Sequence, residues 1–491
     1  MGAISFNQIP VNLLTPGQYV EFDNSRAISG LVAMPQRLLL IAPKLPAGTA
    51  AADVPLQISR ESDGISGLGR GSIGAAMVSA VFRVTDTLET WLLPIADLDA
   101  GVAATGSLSI GGSPAEAGII HLYVAGASVP VGIGPGVDAA SIALTLSDAI
   151  NADPDLPVTA AADASTVTVT AKHKGSLGNG IDLRLNYYPL SEKTPSGLSI
   201  AITPMAGGTG DPPISAALAA IGALQYNTLV SACNDPASIA LIERELDTRW
   251  GPLYQNDGHC HFGLRGSIGS INNFLAARNN PHTSFWALEP GEPGAPWVKA
   301  TLAGVTAAYY LAIDPARPLQ TLPLPGWLSA PAGLRFTRAE RNNLLSYGAA
   351  TTIVDAGGNT AIERAVTAYT QNPGGLSDPS YRDIETMYTL SYLRYSVRAR
   401  ISQKFPRFKL ADDGTHFAPG QAVVTPIIIR AELIALFRDW EEAGLVENLD
   451  QFKKDILVSR NLSDVNRIDV LLPPNIVNQF RVFAAQIQFR L

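Results

Sequence analysis

The sequence has few charged residues, and this shortage limits what the protein can be. Lys, Arg, Asp and Glu make up 16% of the 491 residues, against about 25% in an average soluble protein. The hydrophobic share is 46%, which is enough to build buried cores and excludes a disordered chain. The formal net charge of −8 gives no overall positive field that would attract nucleic acid or an anionic membrane.

Cysteines are few, and the sequence indicates neither a targeting signal nor a membrane span. The two cysteines, Cys233 and Cys260, cannot form a disulfide framework in so long a chain. The first 25 residues contain neither Lys nor Arg, so we expect no secretory signal and a protein made and kept in the cytoplasm. The longest apolar run, residues 117–137, contains two prolines and five glycines, which favours strands and turns over a membrane helix.

The pattern of apolar and polar residues along the chain predicts an α/β multidomain protein, with mixed α/β core domains, an inserted β-rich domain and extended N- and C-terminal arms. The α/β assignment rests on alternating strand and helix patterns, beginning with the short apolar run at 38–42. The insertion rests on strand-like alternation, as in 165–170, and on a content of only 12 charged residues between 101 and 210. The predicted parts are an N-terminal arm (1–25), an α/β domain (26–97 and 208–335), the insertion (98–207), an inner α+β domain (336–478) and a C-terminal strand arm (479–491).

Local signals mark several boundaries within these parts. Asp235 followed by Pro236 predicts the start of a helix. Thr337 and Glu340 have the spacing of a capping box. Five prolines between residues 315 and 331 predict a linker.

Residues 69–74 match the G-x-G-x-x-G pattern of a dinucleotide-binding turn. That function requires a strand immediately upstream, and residues 63–67 are loop-like. The pattern therefore favours a helix start capped by Ser72 over a nucleotide site. The sequence Arg-Gly-Ser-Ile-Gly of residues 70–74 recurs at 265–269, before another predicted helix. The repeat is more simply explained as the same helix-capping arrangement used twice than as two cofactor sites.

His259, Cys260 and His261 are residue types that bind zinc. On a strand the two histidines face one side and the cysteine faces the other, so the three cannot converge on one ion. No recognised hydrolase, phosphate-loop or zinc-protease motif occurs elsewhere. We therefore expect no enzyme activity, no catalytic residue, no cofactor and no metal, with a nucleotide-binding α/β enzyme as the weaker alternative.

Residues 391–410 contain six basic side chains and no acidic one. Tyr392, Tyr395, Phe405 and Phe408 are interleaved with them. This composition can follow a nucleic acid backbone, but on an acidic chain it also fits a solvated helix face or contact with an acidic protein. The six basic residues are Arg394, Arg398, Arg400, Lys404, Arg407 and Lys409.

Near the C-terminus, Ile487, Phe489 and Leu491 alternate with polar residues, which predicts a half-polar strand. Such a strand can complete the sheet of its own chain or be donated to a neighbouring subunit. About ten interchain hydrogen bonds at a net ~0.5 to 1.5 kcal/mol each would stabilise a donated strand by about 5 to 15 kcal/mol.

At this point the sequence resembles the contractile tail sheath proteins of Mu-type phages. The similarity spans both ends of the chain and is thin over residues 98–207. The residues that carry it are 4–10, 19–25, 71–72, 441–448, 450–453, 469–474 and 477–483.

The resemblance implies a subunit that polymerises in six-fold helical symmetry around an inner tail tube and contracts to drive that tube through the host envelope. It implies partners in neighbouring copies, the tube protein, and the baseplate and tail terminator proteins, with no nucleic acid and no direct membrane insertion. The expected location is the virion tail, after assembly in the host cytoplasm. A sheath of a phage-derived contractile injection device is the alternative.

The resemblance also implies which residues meet which partner. The insertion is expected to face outward, and the six basic residues of 394–409 become candidates for contact with the tube. The candidate exchanged strands include Phe6, Ile9, Val11, Phe480, Val482, Ile487, Phe489 and Leu491.

Overall fold

The structure is a computed structural model that describes residues 15–20, 31–418 and 420–490. They group into two compact units, one formed by Gln36–Met387 and the other by Met1–Pro35 with Tyr388–Leu491. The mixed α/β architecture predicted from the sequence is confirmed. None of the helices in the described ranges is long and apolar enough to cross a membrane.

The larger unit begins with a strand that is buried on both faces. Its first elements are β1 (Arg37–Lys44), β2 (Leu56–Ile58), α1 (Glu61–Leu68), α2 (Ile73–Val84) and β3 (Glu89–Ala96). Residues 38–42 of β1 are fully buried, as expected for a continuous apolar run at the centre of a mainly parallel sheet. Helix α2 starts where the Ser72 hydroxyl accepts a hydrogen bond from the Ala75 N–H at 2.9 Å.

Residues 103–206 form antiparallel sheets around one helix. The elements are β4 (Ala103–Gly112), β5 (Gly118–Val124), β6 (Ala127–Ile133), α3 (Ala139–Ala152), β7 (Val158–Asp163), β8 (Thr166–Lys174), a 3₁₀ turn (Ser176–Gly180), β9 (Leu183–Leu185) and β10 (Leu198–Ala206). The strand orders are β10-β4-β8-β7 and β6-β5-β9. On β8, Val167 and Val169 are buried while Thr168 between them is exposed, so its alternation follows the two faces of the sheet.

The chain then returns to alternating helices and strands. The elements are α4 (Ser215–Ala220), β11 (Thr228–Ser231), α5 (Pro236–Trp250), β12 (His259–Leu264), α6 (Ile268–Ala276), β13 (Thr283–Ala287), α7 (Pro296–Ile313), a 3₁₀ turn (Ala332–Leu334), α8 (Arg338–Ser346), β14 (Ala349–Val354) and β15 (Thr360–Arg364). The predicted cap at Asp235 and the capping box of Thr337 with Glu340 are both confirmed.

These strands form one eight-stranded sheet in the order β15-β14-β13-β12-β11-β1-β3-β2. The pairs from β14 to β3 are parallel, and the outermost strands β15 and β2 are antiparallel. Because β14 and β15 extend this sheet, residues 336–387 group with the larger unit.

The proline-rich segment predicted as a linker borders the sheet beside β15. The Thr321 N–H donates to the Ile362 carbonyl at 2.8 Å, and the Leu324 N–H donates to the Thr360 carbonyl at 2.8 Å. Pro323 lies opposite Ala361. Since a proline has no N–H to offer another strand, this segment closes the sheet edge against further pairing.

One hydrophobic core joins the α/β part of the larger unit to its inserted sheets. The same cluster of buried side chains includes Leu40 and Val81 from the first part and Leu108 and Val167 from the second. The opposite face of the eight-stranded sheet packs a second cluster that includes Cys260.

The smaller unit contains most of α9 (Ile384–Lys404), within which the boundary between the two units falls. The other elements are β16 (Lys409–Leu410), β17 (Val423–Val424), α10 (Pro426–Glu442), β18 (Val446–Glu447), α11 (Leu449–Asp455), β19 (Leu457–Arg460), β20 (Ile468–Leu471) and β21 (Asn475–Ile476). Phe437 of α10 stacks on Phe452 of α11 with ring centroids 4.1 Å apart, which fixes the two helices against each other.

Candidate subunit interface

Residues 478–490 carry large apolar side chains that are open to solvent. The five are Phe480, Val482, Phe483, Ile487 and Phe489, each with 73% to 89% of its surface exposed. No residue from 478 to 490 belongs to a helix or strand. Because soluble proteins rarely leave a continuous apolar series exposed, this segment has the character of an interaction surface.

Residues 478–490 directly follow a strand that is paired within the smaller unit. Strand β21 pairs antiparallel with β18, and the Val477 N–H donates to the Leu445 carbonyl at 3.0 Å. The chain is therefore anchored through residue 477, and the exposed segment begins immediately afterwards.

The structure describes four of the residues predicted to lie in exchanged strands. Phe480, Val482, Ile487 and Phe489 all lie in the exposed segment. Phe6, Ile9, Val11 and Leu491 lie outside the described residues.

Strands β19 and β20 form a small antiparallel hairpin with only two strands. The register pairs Leu457 with Leu471 and Arg460 with Ile468. Leu457 and Leu471 are 62% and 57% exposed, and Leu462 in the turn is fully exposed. Two-stranded sheets are marginally stable in water, so this hairpin can gain stability from an additional strand. No short sequence motif marks this hairpin as a surface, because its signal is the exposure of ordinary aliphatic residues.

Arg400 and Lys404, two of the predicted tube-facing residues, form ion pairs with helix α10. Arg400 pairs with Glu432 at 3.2 Å and with Asp439. Lys404 pairs with the same Glu432 at 2.8 Å. The side chain of Arg400 is only 11% exposed, so its charge is largely neutralised by α10 before any partner approaches.

The other four basic residues differ in exposure. Arg394 is half-buried on α9, whereas Arg398, Arg407 and Lys409 are exposed. Lys409 Nζ donates to the Gln421 side-chain oxygen at 3.3 Å.

Two of the interleaved aromatic residues hold the chain segment before β1. The Tyr392 hydroxyl donates to the Val32 carbonyl at 3.2 Å, and the Tyr395 hydroxyl donates to the Ala33 carbonyl at 3.3 Å. Burial of the Tyr392 phenol raises its pKa, so this hydroxyl stays a donor at neutral pH. The sequence pattern places these tyrosines only among the aromatic residues interleaved with basic side chains.

The G-x-G-x-x-G segment is a capped helix start. It follows helix α1 rather than a strand. The Ile73 N–H donates to His173 Nε2 at 3.1 Å, and the Ala75 N–H donates to the Ser72 hydroxyl. Two amides that a phosphate would need at this helix start are therefore already used by side chains.

The two histidines of β12 lie on one face of the sheet, as predicted. Their ring centroids are 5.1 Å apart, while Cys260 belongs to the cluster on the other face. The Trp286 indole N–H donates to His261 Nδ1 at 3.1 Å. Burial lowers the pKa of His261 to about 3 and also lowers the pKa of His259 well below its usual value. Within the described ranges no group of three side chains could hold a metal ion.

Comparison with known proteins gives a consistent result over the whole chain. A family model described as the phage tail sheath protein central domain matches residues 207–368, and one described as the phage tail sheath C-terminal domain matches residues 377–490. The tail sheath protein of the Mu-like prophage FluMu from Haemophilus influenzae is 42% identical over 490 residues and covers 100% of both chains.

Similar solved structures include other sheath proteins. The sheath of an extracellular contractile injection system in its contracted state has a TM-score of 0.50 at 11% identity and covers 96% of this chain and 97% of that chain. The sheath tail protein from Desulfitobacterium hafniense has a TM-score of 0.48 at 13% identity and covers 94% of this chain and 100% of that chain. At these identities the likeness to the injection-system sheath extends to the fold alone.

Proposed function

Because this chain belongs to the family of phage tail sheath proteins, we propose that its copies polymerise helically, in six-fold symmetry, around an inner tail tube and contract to drive that tube through the host envelope. The family makes the protein a component of a phage tail. Assembly takes place in the host cytoplasm, on a baseplate and beneath a tail terminator. The subunit acts mechanically and without catalysis.

The observation that supports this proposal most strongly is the exposed apolar segment at 478–490. In the unassembled subunit the exposure of this segment is energetically unfavourable, because its five large apolar side chains remain in contact with water. In a polymer, each segment adds a strand beside the β19–β20 hairpin of a neighbouring copy. The donated strand makes main-chain hydrogen bonds and places alternate side chains against the hairpin.

The N-terminal residues Phe6, Ile9 and Val11 take part in the same exchange from the other end of the chain. A subunit joined at both ends to its neighbours stays connected while its body moves. Contraction can therefore rearrange the contacts between bodies without dissolving the polymer, which a contractile tube requires.

The remaining surfaces are assigned by charge and position. The inserted sheets of residues 103–206 face outward. The six basic residues between 394 and 409 lie toward the tube, with the exposed Arg407 and Lys409 carrying more of that contact than Arg400, whose charge is shared with Glu432 and Asp439.

Deletion of residues 480–491 tests the strand exchange. The truncated protein is expected to remain folded, because the five large apolar side chains of the deleted segment are mostly exposed in the unassembled chain, and to form no tubes in negative-stain microscopy. A full-length variant with Gln486→Ser and Gln488→Ser, which changes only polar side chains of the same segment, is the matched control and should assemble. Normal tubes from the truncated chain would overturn the exchange.

A further inference from the structure

Two tyrosines of helix α9 donate hydrogen bonds to the segment just before β1. Residues 31–35 form no helix or strand. Among the described residues, the only hydrogen bonds recorded to this segment come from the hydroxyls of Tyr392 and Tyr395, which reach the carbonyls of Val32 and Ala33. Pro35 has no N–H and restricts the backbone before β1.

The two tyrosines are placed to act together. They are three residues apart on helix α9, so their side chains project from one face about 4.5 Å apart along the helix axis. They bind two consecutive carbonyls at 3.2 Å and 3.3 Å. Two contacts to adjacent peptide groups fix both the position and the direction of a chain, whereas one contact would leave it free to rotate.

We propose that Tyr392 and Tyr395 form a clamp that sets the point and direction from which residues 1–30 reach a neighbouring copy. This inference rests on the proposed function, since the N-terminal exchange strand containing Phe6 lies beyond the clamped segment. The clamp lowers the entropy cost of finding the neighbour, because the root of the arm is already ordered before contact. Tyr392 and Tyr395 are therefore positioning residues for assembly, because their hydroxyls hold the start of the arm.

The test separates the clamp from the assembly. Ala33 is exposed and both native cysteines are buried, so Ala33→Cys accepts a nitroxide label selectively. In the unassembled protein, Tyr392→Phe with Tyr395→Phe should raise the mobility of this label, because the rings remain and both hydrogen bonds are lost. Tyr347→Phe is the matched control, since Tyr347 is exposed and has no hydroxyl hydrogen bond among the described residues. Unchanged mobility in the double variant would overturn the clamp.

The same variants without the label are then assembled. Each lost hydroxyl should raise the protein concentration needed for tube formation by about five-fold, the equivalent of one ordinary hydrogen bond, with no change in melting temperature beyond that of Tyr347→Phe. Raised label mobility with unchanged assembly would overturn the positioning role. If the wild-type protein forms no tubes, the proposed sheath function fails and the positioning role with it, while the mobility result still decides whether the clamp exists.

Discussion

Replacing Phe489 by serine should block assembly without unfolding the subunit. The Phe489 side chain is 79% exposed in the single chain, so most of its apolar surface is available for burial against a neighbour. Complete burial of a phenylalanine stabilises by about 1.5 to 3 kcal/mol. Each intersubunit link should therefore weaken by about 10- to 100-fold, since 1.4 kcal/mol corresponds to a factor of ten.

Pelleting of polymer across a dilution series, with negative-stain microscopy of each fraction, measures this effect. Phe489→Ser should shift the assembly threshold upward by at least about ten-fold, and its melting temperature should equal that of the wild type. Gln488→Ser, at the adjacent polar position, should leave both quantities unchanged. Tube formation by Phe489→Ser at the wild-type concentration would refute the reasoning, as would an equal defect in Gln488→Ser.

Three further predictions concern the subunit itself. Lys299→Met should lower the free energy of unfolding by about 3 to 5 kcal/mol, because Lys299 and Glu292 are both fully buried and pair at 2.8 Å. The double variant that also carries Glu292→Gln should recover part of this loss. A loss under about 1 kcal/mol for Lys299→Met in urea unfolding would contradict the prediction. The lowered pKa of His261, about 3, means that the unfolded chain binds more protons between that value and its ordinary pKa of about 6.5. Stability should therefore fall as pH drops below about 6.5, by about 2 to 3 kcal/mol from this group at pH 4.5, with a shallower fall in His261→Gln; a flat wild-type profile in calorimetry would contradict it. Glu432→Gln should lower the free energy of unfolding by about 1 to 3 kcal/mol, because two basic side chains of α9 share this carboxylate. In the same urea unfolding assay, Glu442→Gln at an exposed position should change this free energy by less than about 0.5 kcal/mol.

The sequence predicted local structure well because local signals were strong. The continuous apolar run at 38–42 produced β1 at its expected place, and Asp235 and Thr337 cap their helices as predicted. These features depend on residues only a few positions apart. Alternation and capping therefore suffice to find them.

Features formed by distant residues were not visible in the sequence. The linker prediction for residues 315–331 missed that this segment borders β15, because the pairing depends on a strand that lies almost forty residues later. The ion pairs of Arg400 with Glu432 and Asp439 were likewise not visible, because the two carboxylates lie on the next helix. The β19–β20 hairpin has no distinctive motif, and only the exposure of its aliphatic side chains identifies it as a candidate surface.

A cryo-electron microscopy map of the assembled tube would test the strand exchange most directly. We predict that residues 478–490 of each copy lie as a third strand beside β19 and β20 of a neighbouring copy, with main-chain hydrogen bonds along the pair. A map in which residues 478–490 return to the body of their own chain, with the neighbouring hairpin left as two strands, would contradict the account.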